Sequence, residues 1–423
     1  MNIKKVLEKI DFAPSKEEIE KIKKETGSLC ISIEEEIKKQ KIKAEVFVGG
    51  SLAKKTLVKR EKYDIDIFVR FDLIYENLSK KLENIISKMA KKKKLKVKFV
   101  HGSRDYIQIE KGNAIFEIIP VLKINKPKEG RNVTDLSYFH VNYIKRRTNE
   151  KIAREIIIAK VFCNAQSIYG AESYINGFSG YGLECLIIYY KSFEKMLREF
   201  VKVQKREIID PEKIYKRKDN VLLEINESKL QSPIILVDPT WKERNVLAAL
   251  SKESFHKFQE AAKAFLKNPN KKFFEEKKID NEGLEKEAKN KKAEFCHVIL
   301  KTDRQTGDIA GTKLKKFSYF LIREIERYFF VLRNEFFYDG KHGADFYLIV
   351  KSKKEIVKIG PPIDRKKDAS AFRKRNRNVF EKNGSLHSKI IINFSLKKFL
   401  RDYKRKNVKK VREMGITGMQ VLK

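Results

Sequence analysis

The sequence has few cysteines, and their spacing is not that of a metal-binding motif. The four cysteines, Cys30, Cys163, Cys185 and Cys296, lie far apart, with no CxxC pair and no neighbouring histidine group of zinc-binding spacing. We therefore expect buried, reduced thiols in a cytoplasmic protein. If the protein binds a metal, oxygen ligands must hold it.

Long apolar runs are absent, and acidic residues are outnumbered. No run of about 18 apolar residues and no signal-peptide pattern occurs, so a membrane partner is not expected. The sequence has 95 Lys and Arg against 57 Asp and Glu, a formal net charge of +38. This excess implies a polyanionic partner, with nucleic acid ahead of an anionic membrane surface. Solvated basic faces without a partner explain part of the same excess.

The sequence contains enough apolar and aromatic residues for several folded domains. Hydrophobic residues make up 41% of the 423 residues, including 28 Phe and 16 Tyr. At roughly 150 residues per domain, this length predicts two to four domains. The pattern predicts mixed strands and helices in residues 1–137, mainly helices in 138–270, and an α+β region in 271–423. Within the last region, residues 313–337 are predicted as one long amphipathic helix.

One segment, GGSLAKKTLVKREKYDIDIFVRF (residues 49–71), places two carboxylates in an otherwise apolar strand. The YDIDIFV alternation predicts a β-strand, on which Asp64 and Asp66 share one face. Two adjacent carboxylates repel each other unless a cation neutralises them. Mg²⁺ prefers oxygen ligands and usually takes one or two carboxylates together with substrate phosphates.

A third carboxylate and a glycine turn extend this pattern. Glu117 lies in AIFEIIPVL, the second strand of a predicted hairpin, and would complete a two-metal site. Gly50 and Ser51 belong to a turn that leads into a short helix, an arrangement that can bind phosphate, and Lys54 adds charge one turn later. Each feature alone has an ordinary structural explanation: a connecting turn, a solvent-facing edge strand and a half-exposed glutamate. The combination is much more specific.

In order and spacing, these features are similar to those of the polymerase-β nucleotidyltransferase superfamily. Four later segments resemble the class I, archaeal-type CCA-adding enzymes: SYFHVNYI, IYGAESYINGFSGYGLECLIIYYKSF, VDPTWKERNVLAALSKESFHKFQEAAKAFL and KIGPPIDRKKDASAFRKRN. The resemblance extends from about residue 30 to residue 380. Within these segments, GFSGY and DPT..ERNV are specific to the family rather than to the superfamily.

The resemblance implies a role for each matching residue. Asp64, Asp66 and Glu117 match the catalytic, metal-binding carboxylates. The nucleotide-binding positions are matched by Gly50, Ser51, Lys54, His140, Lys160, Tyr169 and Arg244, the last of which would help to read the base. The family commonly has arginine at the position of Lys54, aspartate at that of Glu117 and arginine at that of Asn176.

The later matches also have ordinary structural explanations. His140 would be a packed histidine, Tyr169 a core tyrosine, and Lys160 a solvated residue on the polar face of a helix. Arg244 would be a helix-start arginine on the surface, paired with Glu243 or Asp238.

The implied function is addition or repair of the 3′-terminal CCA of tRNA from CTP and ATP, with two Mg²⁺ ions and release of pyrophosphate. The implied domains are a catalytic head (1–137), a helical neck (138–270), and a body and tail (271–423) that bind the acceptor stem and TΨC arm of tRNA. The expected tRNA-binding residues of the tail are Arg373, Lys374, Arg375 and Arg377.

Two other functions stay open at this point, as does the oligomeric state, with a homodimer among the alternatives. One function is that of a sister transferase of the poly(A) polymerase or oligoadenylate synthetase type. The other is that of a non-catalytic tRNA-binding homologue.

Overall fold

The computed structural model describes residues 3–10, 12–102, 104–276 and 279–422. The chain divides into two compact units, Met1–Lys277 and Lys278–Lys423. Both units contain helices and strands, which confirms the predicted α+β fold with more than one domain. The division into three domains at residues 137 and 270 stays a prediction.

The first part of the first unit is a mixed sheet covered by helices. Its elements are α1 (Ile3–Glu8), α2 (Lys16–Lys39), β1 (Ala44–Val48), α3 (Gly50–Ala53), β2 (Tyr63–Phe71), α4 (Leu78–Lys93), β3 (Val97–Val100), β4 (Tyr106–Lys111) and β5 (Ala114–Leu122). The strand order is β1-β2-β5-β4-β3, with β2 and β5 parallel and the other neighbours antiparallel. The β4–β5 pair is the predicted hairpin.

The alternation of side chains along β2 gives the sheet two different faces. Ile65 and Ile67 are fully buried and belong to the same core as the apolar residues of α2 and α4. Because successive side chains on a strand point to opposite faces, Asp64 and Asp66 point away from this core. The face opposite α2 and α4 is therefore the one that carries the carboxylates.

The second part of the first unit is built mainly from helices around an aromatic core. Its elements are α5 (Ser137–Arg147), α6 (Glu150–Ala165), α7 (Gly180–Tyr190), α8 (Phe193–Phe200), β6 (Glu207–Ile209), α9 (Lys218–Glu224), β7 (Ile234–Asp238), β8 (Trp241–Asn245) and α10 (Lys252–Lys267). The core includes the rings of Phe162, Phe178, Phe193, Phe200 and Phe258, all fully buried.

This region also contains a sheet that the helical prediction omitted. Three short strands pair in the order β6-β7-β8. All five residues of β7, IILVD, are buried, as is typical of a β-branched run packed on both faces. Arg244 lies on β8, so the helix start in its alternative interpretation is wrong, whereas the pairing with Asp238 in that interpretation is present.

The second unit contains two sheets with helices. Its elements are α11 (Asn281–Asn290), β9 (Glu294–Lys301), α12 (Asp308–Glu326), β10 (Phe329–Tyr338), β11 (Gly343–Ser352), β12 (Glu355–Pro362), α13 (Lys366–Arg375), β13 (Val379–Lys382), β14 (Ser385–Ile391), α14 (Leu396–Lys406), α15 (Val408–Glu413) and β15 (Gly418–Val421). The strand orders are β10-β11-β9-β15 and β12-β14-β13.

The helix predicted over residues 313–337 is wrong in its second half. Helix α12 ends at Glu326, and Phe329–Tyr338 is strand β10, which pairs antiparallel with β11. The segment FFVLRNEFFY is rich in aromatic residues, which suit a strand as well as an amphipathic helix. Pairing with a long, buried neighbouring strand decides between the two.

Two expectations about chain chemistry can be compared with the structure. All four cysteines are free, and three of them are buried, whereas Cys30 is only partly buried. Throughout the described ranges, none of the helices has both the length and the apolar character to cross a membrane.

Candidate active site

Strands β2 and β5 bring the predicted carboxylates together. The two strands are parallel and in register, so that Asp66 lies directly opposite Glu117, while Asp64 lies opposite Ile115. Asp66 and Glu117 are half-buried, whereas Asp64 is more exposed. On the other side of β5, Gln108 Nε2 donates a hydrogen bond of 2.8 Å to Glu117 Oε1. This bond fixes the orientation of the longer glutamate side chain.

These carboxylates are difficult to ionise together. Burial, followed by repulsion from Asp66, raises the pKa of Glu117 to about 7. Burial also raises the pKa of Asp66 to about 6, although the charge of Lys54 opposes the increase. The pKa of Asp64 is raised by burial as well. A bound cation would remove this penalty by neutralising the paired charges.

The donor chemistry of Asp66 and Glu117 fits a hard divalent cation. Both side chains offer carboxylate oxygens from adjacent strands, and Mg²⁺ commonly takes two carboxylates together with substrate phosphates. Among the residues that the structure describes, no three His, Cys, Asp or Glu side chains already form a complete metal-holding group. The two facing carboxylates therefore constitute the candidate metal site, with Asp64 next to them.

The glycine turn lies against Asp66. The Gly49 N–H donates a hydrogen bond of 2.9 Å to the backbone oxygen of Asp66. Gly50 has a φ of +58°, and a Cβ atom at this position would lie 1.7 Å from Asp66 Oδ2. Only glycine fits here, because any side chain would collide with the carboxylate and strain the backbone.

A cavity of about 370 Å³ opens beside the carboxylates, between the sheet and the central helices. Eight of the predicted site residues line it: Gly50, Ser51, Lys54, Asp64, Asp66, His140, Lys160 and Tyr169. Burial raises the pKa of Tyr169 to about 12, so its hydroxyl stays neutral. Glu117 and Arg244 are not part of the lining. Glu117 lies opposite the lining residue Asp66, and Arg244 is connected through Asp238 to the lining residues His140 and Tyr181.

The two predicted lysines meet at a buried acid that our sequence analysis missed. Lys54 Nζ lies 2.7 Å from Glu184 Oε2, and Lys160 Nζ lies 2.8 Å from Glu184 Oε1. Lys160 is 4% exposed, so its alternative interpretation as a solvated helix residue is wrong. Burial opposes the ionisation of Glu184, but the charges of Lys160 and Lys54 outweigh it and lower its pKa to about 2. A single acid in the apolar run of α7 was the available signal.

A second buried acid, Asp238, which our sequence analysis named only as an alternative surface partner of Arg244, connects His140 with Arg244. Its Oδ2 accepts hydrogen bonds of 3.1 Å from His140 Nε2 and 2.6 Å from Arg244 Nη1. Its Oδ1 accepts bonds from the Tyr181 hydroxyl and from Thr240. The His140 and Tyr181 rings stack with their centroids 4.0 Å apart. Burial lowers the pKa of His140, so the ring is neutral and donates to Asp238.

The predicted tRNA-binding residues are in the second unit. Arg373, Lys374 and Arg375 form the last turn of α13, and Arg377 follows it. All four are exposed. Arg373 Nη2 lies 2.6 Å from Glu381 Oε1, so part of its charge is already neutralised.

Comparisons with known proteins agree with this architecture. Residues 30–131 match the family described as nucleotidyltransferase domain, and residues 154–275 match the family described as tRNA nucleotidyltransferase, second domain. The CCA-adding enzyme of Methanocaldococcus jannaschii is 30% identical over 397 residues, which cover 90% of this chain and 86% of that protein. The CCA-adding enzyme of Nanoarchaeum equitans is 39% identical over 248 residues, 58% of this chain and 60% of that protein.

The solved structures that resemble the chain are more distant. A structure of Cid1, described by its RNA terminal uridylyl transferase activity, has a TM-score of 0.51 at 13% sequence identity. The match covers 66% of this chain and 98% of that one. At this identity the likeness concerns the fold, which is the nucleotidyltransferase fold.

Proposed function

The chain belongs to the family of archaeal-type CCA-adding enzymes, and on that premise we propose that it adds or repairs the 3′-terminal CCA of tRNA using CTP and ATP. The tRNA 3′ hydroxyl attacks the α-phosphate of the nucleotide, and pyrophosphate leaves. The observation that carries this proposal is the facing pair Asp66 and Glu117 at a cavity lined by Lys54 and His140.

Asp66 and Glu117, with Asp64 beside them, would hold the two Mg²⁺ ions of the reaction. When bound, Mg²⁺ lowers the pKa of an attacking hydroxyl and stabilises charge on phosphoryl oxygens. The protein fixes the two carboxylates for this role through the paired strands and the hydrogen bond from Gln108. Their raised pKa values reflect burial and mutual repulsion, which a bound cation would offset.

Lys54, Ser51 and the Gly50 backbone bind the triphosphate. They lie next to Asp66 on one side of the cavity, so phosphates held there would lie close to the carboxylates. A lysine gives a point charge where the family commonly has the bidentate fork of an arginine. Orientation of the triphosphate therefore depends on how firmly Lys54 itself is held.

Arg244 reads the base, and Asp238 holds the Arg244 guanidinium in place. With one guanidinium nitrogen bound to Asp238, the remaining donors of its planar fork are available to acceptors common to C and A. The stacked, neutral pair of His140 and Tyr181 bounds the same region. Because Asp238 also accepts from His140, the base-reading group and the ring pair form one hydrogen-bonded unit.

The tRNA itself is bound largely through its phosphates and its shape. Duplex RNA is recognised mainly in this way, which suits a chain with a net charge of +38. The acceptor stem and the TΨC arm are the parts of the tRNA that we assign to the second unit. Its exposed basic turn, Arg373 to Arg377, contributes to this binding.

The test is incorporation on tRNAs that end before, within and after CCA, with each of the four nucleotides supplied separately. We expect C on tRNAs that lack one or both cytidines, A only on tRNAs that end in CC, and no addition to complete CCA. Long adenylate tails would instead support a sister transferase of the poly(A) polymerase type. Binding of tRNA without any incorporation would support a non-catalytic homologue.

A further inference from the structure

Glu184 is fully buried and joins two parts of the first unit. It lies on α7, whereas its partner Lys54 directly follows α3, 130 residues earlier. Its second lysine, Lys160, comes from α6. Thr56 completes the group, because its hydroxyl lies 3.0 Å from Glu184 Oε1. One carboxylate thus organises two cations and a hydroxyl on the wall of the cavity.

The two lysines are not equivalent in this group. An ammonium group has three N–H donors. Those of Lys160 match three acceptors: Glu184 Oε1 at 2.8 Å, Thr56 Oγ1 at 2.9 Å and the Thr56 carbonyl at 3.3 Å. Within the described part of the chain, the ammonium of Lys54 makes one hydrogen bond, to Glu184 Oε2. Lys54 therefore has donors left for a ligand, whereas the three donors of Lys160 are matched by protein acceptors.

The charges in this group leave a surplus for an anion. Two ammonium groups and one carboxylate carry a net charge of +1 at the cavity wall. Without Glu184, the two cations would repel each other with no counterion between them. Lys160 thus neutralises Glu184, and Glu184 holds the Lys54 ammonium at the cavity wall.

The same contact pairs Lys54 with Glu184 rather than with Asp66. Lys54 is near enough to Asp66 for its charge to oppose the rise in the pKa of Asp66. A lysine free to pair with Asp66 would compete with a cation for that carboxylate. The ion pair that Lys54 forms is instead with Glu184, which leaves Asp66 available.

We propose that Glu184 is a positioning residue of the triphosphate site, which holds the Lys54 ammonium at the cavity wall for the phosphates of CTP and ATP alike. The inference rests on the proposed function and adds to it a division of roles. Lys54 touches the triphosphate, Lys160 pairs with the other carboxylate oxygen of Glu184, and Glu184 acts through Lys54.

A purely structural role for Glu184 makes different predictions. Such a role would lower stability and activity together, by the same factor whether or not Lys54 is present. If Glu184 positions Lys54, its replacement should raise the nucleotide KM only when Lys54 is present. The rise should be the same for CTP and ATP, because the triphosphate is their common part. A double-mutant cycle separates the two roles.

The experiment measures kcat and KM for CTP and ATP in wild type, Glu184→Gln, Lys54→Met and the double variant. We expect Glu184→Gln to raise both KM values by about tenfold, because an oriented charged hydrogen bond is lost. The change in kcat should be smaller, roughly threefold or less. In the Lys54→Met background, Glu184→Gln should raise KM by about a further twofold or less, because the ammonium that it positions is already missing.

Glu155→Gln is the matched control. Glu155 is a partly buried acid on α6 whose Oε2 accepts a 2.7 Å hydrogen bond from the Phe193 N–H, outside the cavity lining. Its nucleotide KM should equal that of wild type. If Glu184→Gln does not fold, Glu184→Asp repeats the test, since it keeps the charge but withdraws the carboxylate from Lys54. Thermal unfolding of each variant establishes which ones are folded.

An unchanged nucleotide KM in a folded Glu184 variant would overturn the inference. An equal rise in KM on Glu184 replacement in wild type and in Lys54→Met would overturn it as well. Either result would leave the proposed function intact, provided that wild type still adds CCA. Failure of wild type to incorporate any nucleotide would instead contradict the proposed function itself.

Discussion

Replacing Glu117 by glutamine should stabilise the metal-free protein at alkaline pH while abolishing its activity. The carboxylate lies opposite Asp66 in a half-buried part of the sheet, so its ionisation is unfavourable without a cation. Glutamine has nearly the same shape, keeps an oxygen that can accept the Gln108 hydrogen bond, and carries no charge. The variant therefore removes the electrostatic penalty together with the proposed metal ligand.

The size and sign of the effect follow from the pKa of Glu117. Burial and Asp66 raise it from 4.5 to about 7 in the folded protein. The proton thus stabilises the folded state fully below the unfolded pKa, and this contribution is lost as pH rises through about 7. At about 1.4 kcal/mol for each pKa unit, the ionised group costs on the order of 3 kcal/mol at pH 8. We expect Glu117→Gln to recover about 1 to 3 kcal/mol there, and little at pH 4.

The assay is urea unfolding of wild type and Glu117→Gln at pH 4 and pH 8 with a chelator, repeated at pH 8 with Mg²⁺. Mg²⁺ should raise the midpoint of wild type more than that of the variant. Glu110→Gln is the control, because the Glu110 side chain is 59% exposed and its replacement should change stability by about 0.5 kcal/mol or less. A stability difference independent of pH, or an equal response to Mg²⁺, would refute the reasoning.

Three further predictions concern other parts of the site. Gly50→Ala should lower nucleotide addition by on the order of a hundredfold, because its Cβ displaces Asp66; unchanged single-turnover rates would contradict the close approach. Arg244→Lys should lower the rates of C and A incorporation by about tenfold or more without changing tRNA affinity, and should reduce the preference for CTP and ATP over UTP. Unchanged selectivity among the four nucleotides would mean that another group reads the base. Changing Arg373, Lys374, Arg375 and Arg377 to glutamine should reduce the slope of log tRNA affinity against log salt concentration by roughly 0.7 to 0.9 for each tRNA phosphate that these residues neutralise. Arg373 should contribute least, because it is paired with Glu381. An unchanged slope would mean that the four residues are solvated and do not contact the tRNA.

The carboxylate pattern could be predicted from the sequence because it depends on local geometry. Period-two alternation places Asp64 and Asp66 on one face, and the hairpin that contains Glu117 is also a local feature. The register that sets Asp66 opposite Glu117 is not local, since it joins two parallel strands that are distant in the chain. The resemblance to a family, and not the alternation alone, indicated that Glu117 belongs to the same site as the two aspartates.

The polar contacts around the cavity lie beyond local patterns. Lys160 lies on a helix with an apolar face, which predicts exposure, but α7 supplies Glu184 as a buried partner. Asp238 and His140 are 98 residues apart in sequence, and neither neighbourhood indicates the other. For β10, aromatic residues suited both a helix and a strand, and pairing with β11 decided between them. In each case the missing information was a tertiary partner.

The most direct test of the central claim compares wild type with Asp66→Asn on a tRNA that lacks CCA, with CTP, ATP and Mg²⁺ supplied. Wild type should lengthen this tRNA by the three nucleotides CCA and then stop. Asp66→Asn should add none, yet bind the tRNA with nearly the same affinity in a gel-shift assay, because the RNA is held by basic residues elsewhere. Comparable extension by the variant, or no extension by wild type, would contradict the account.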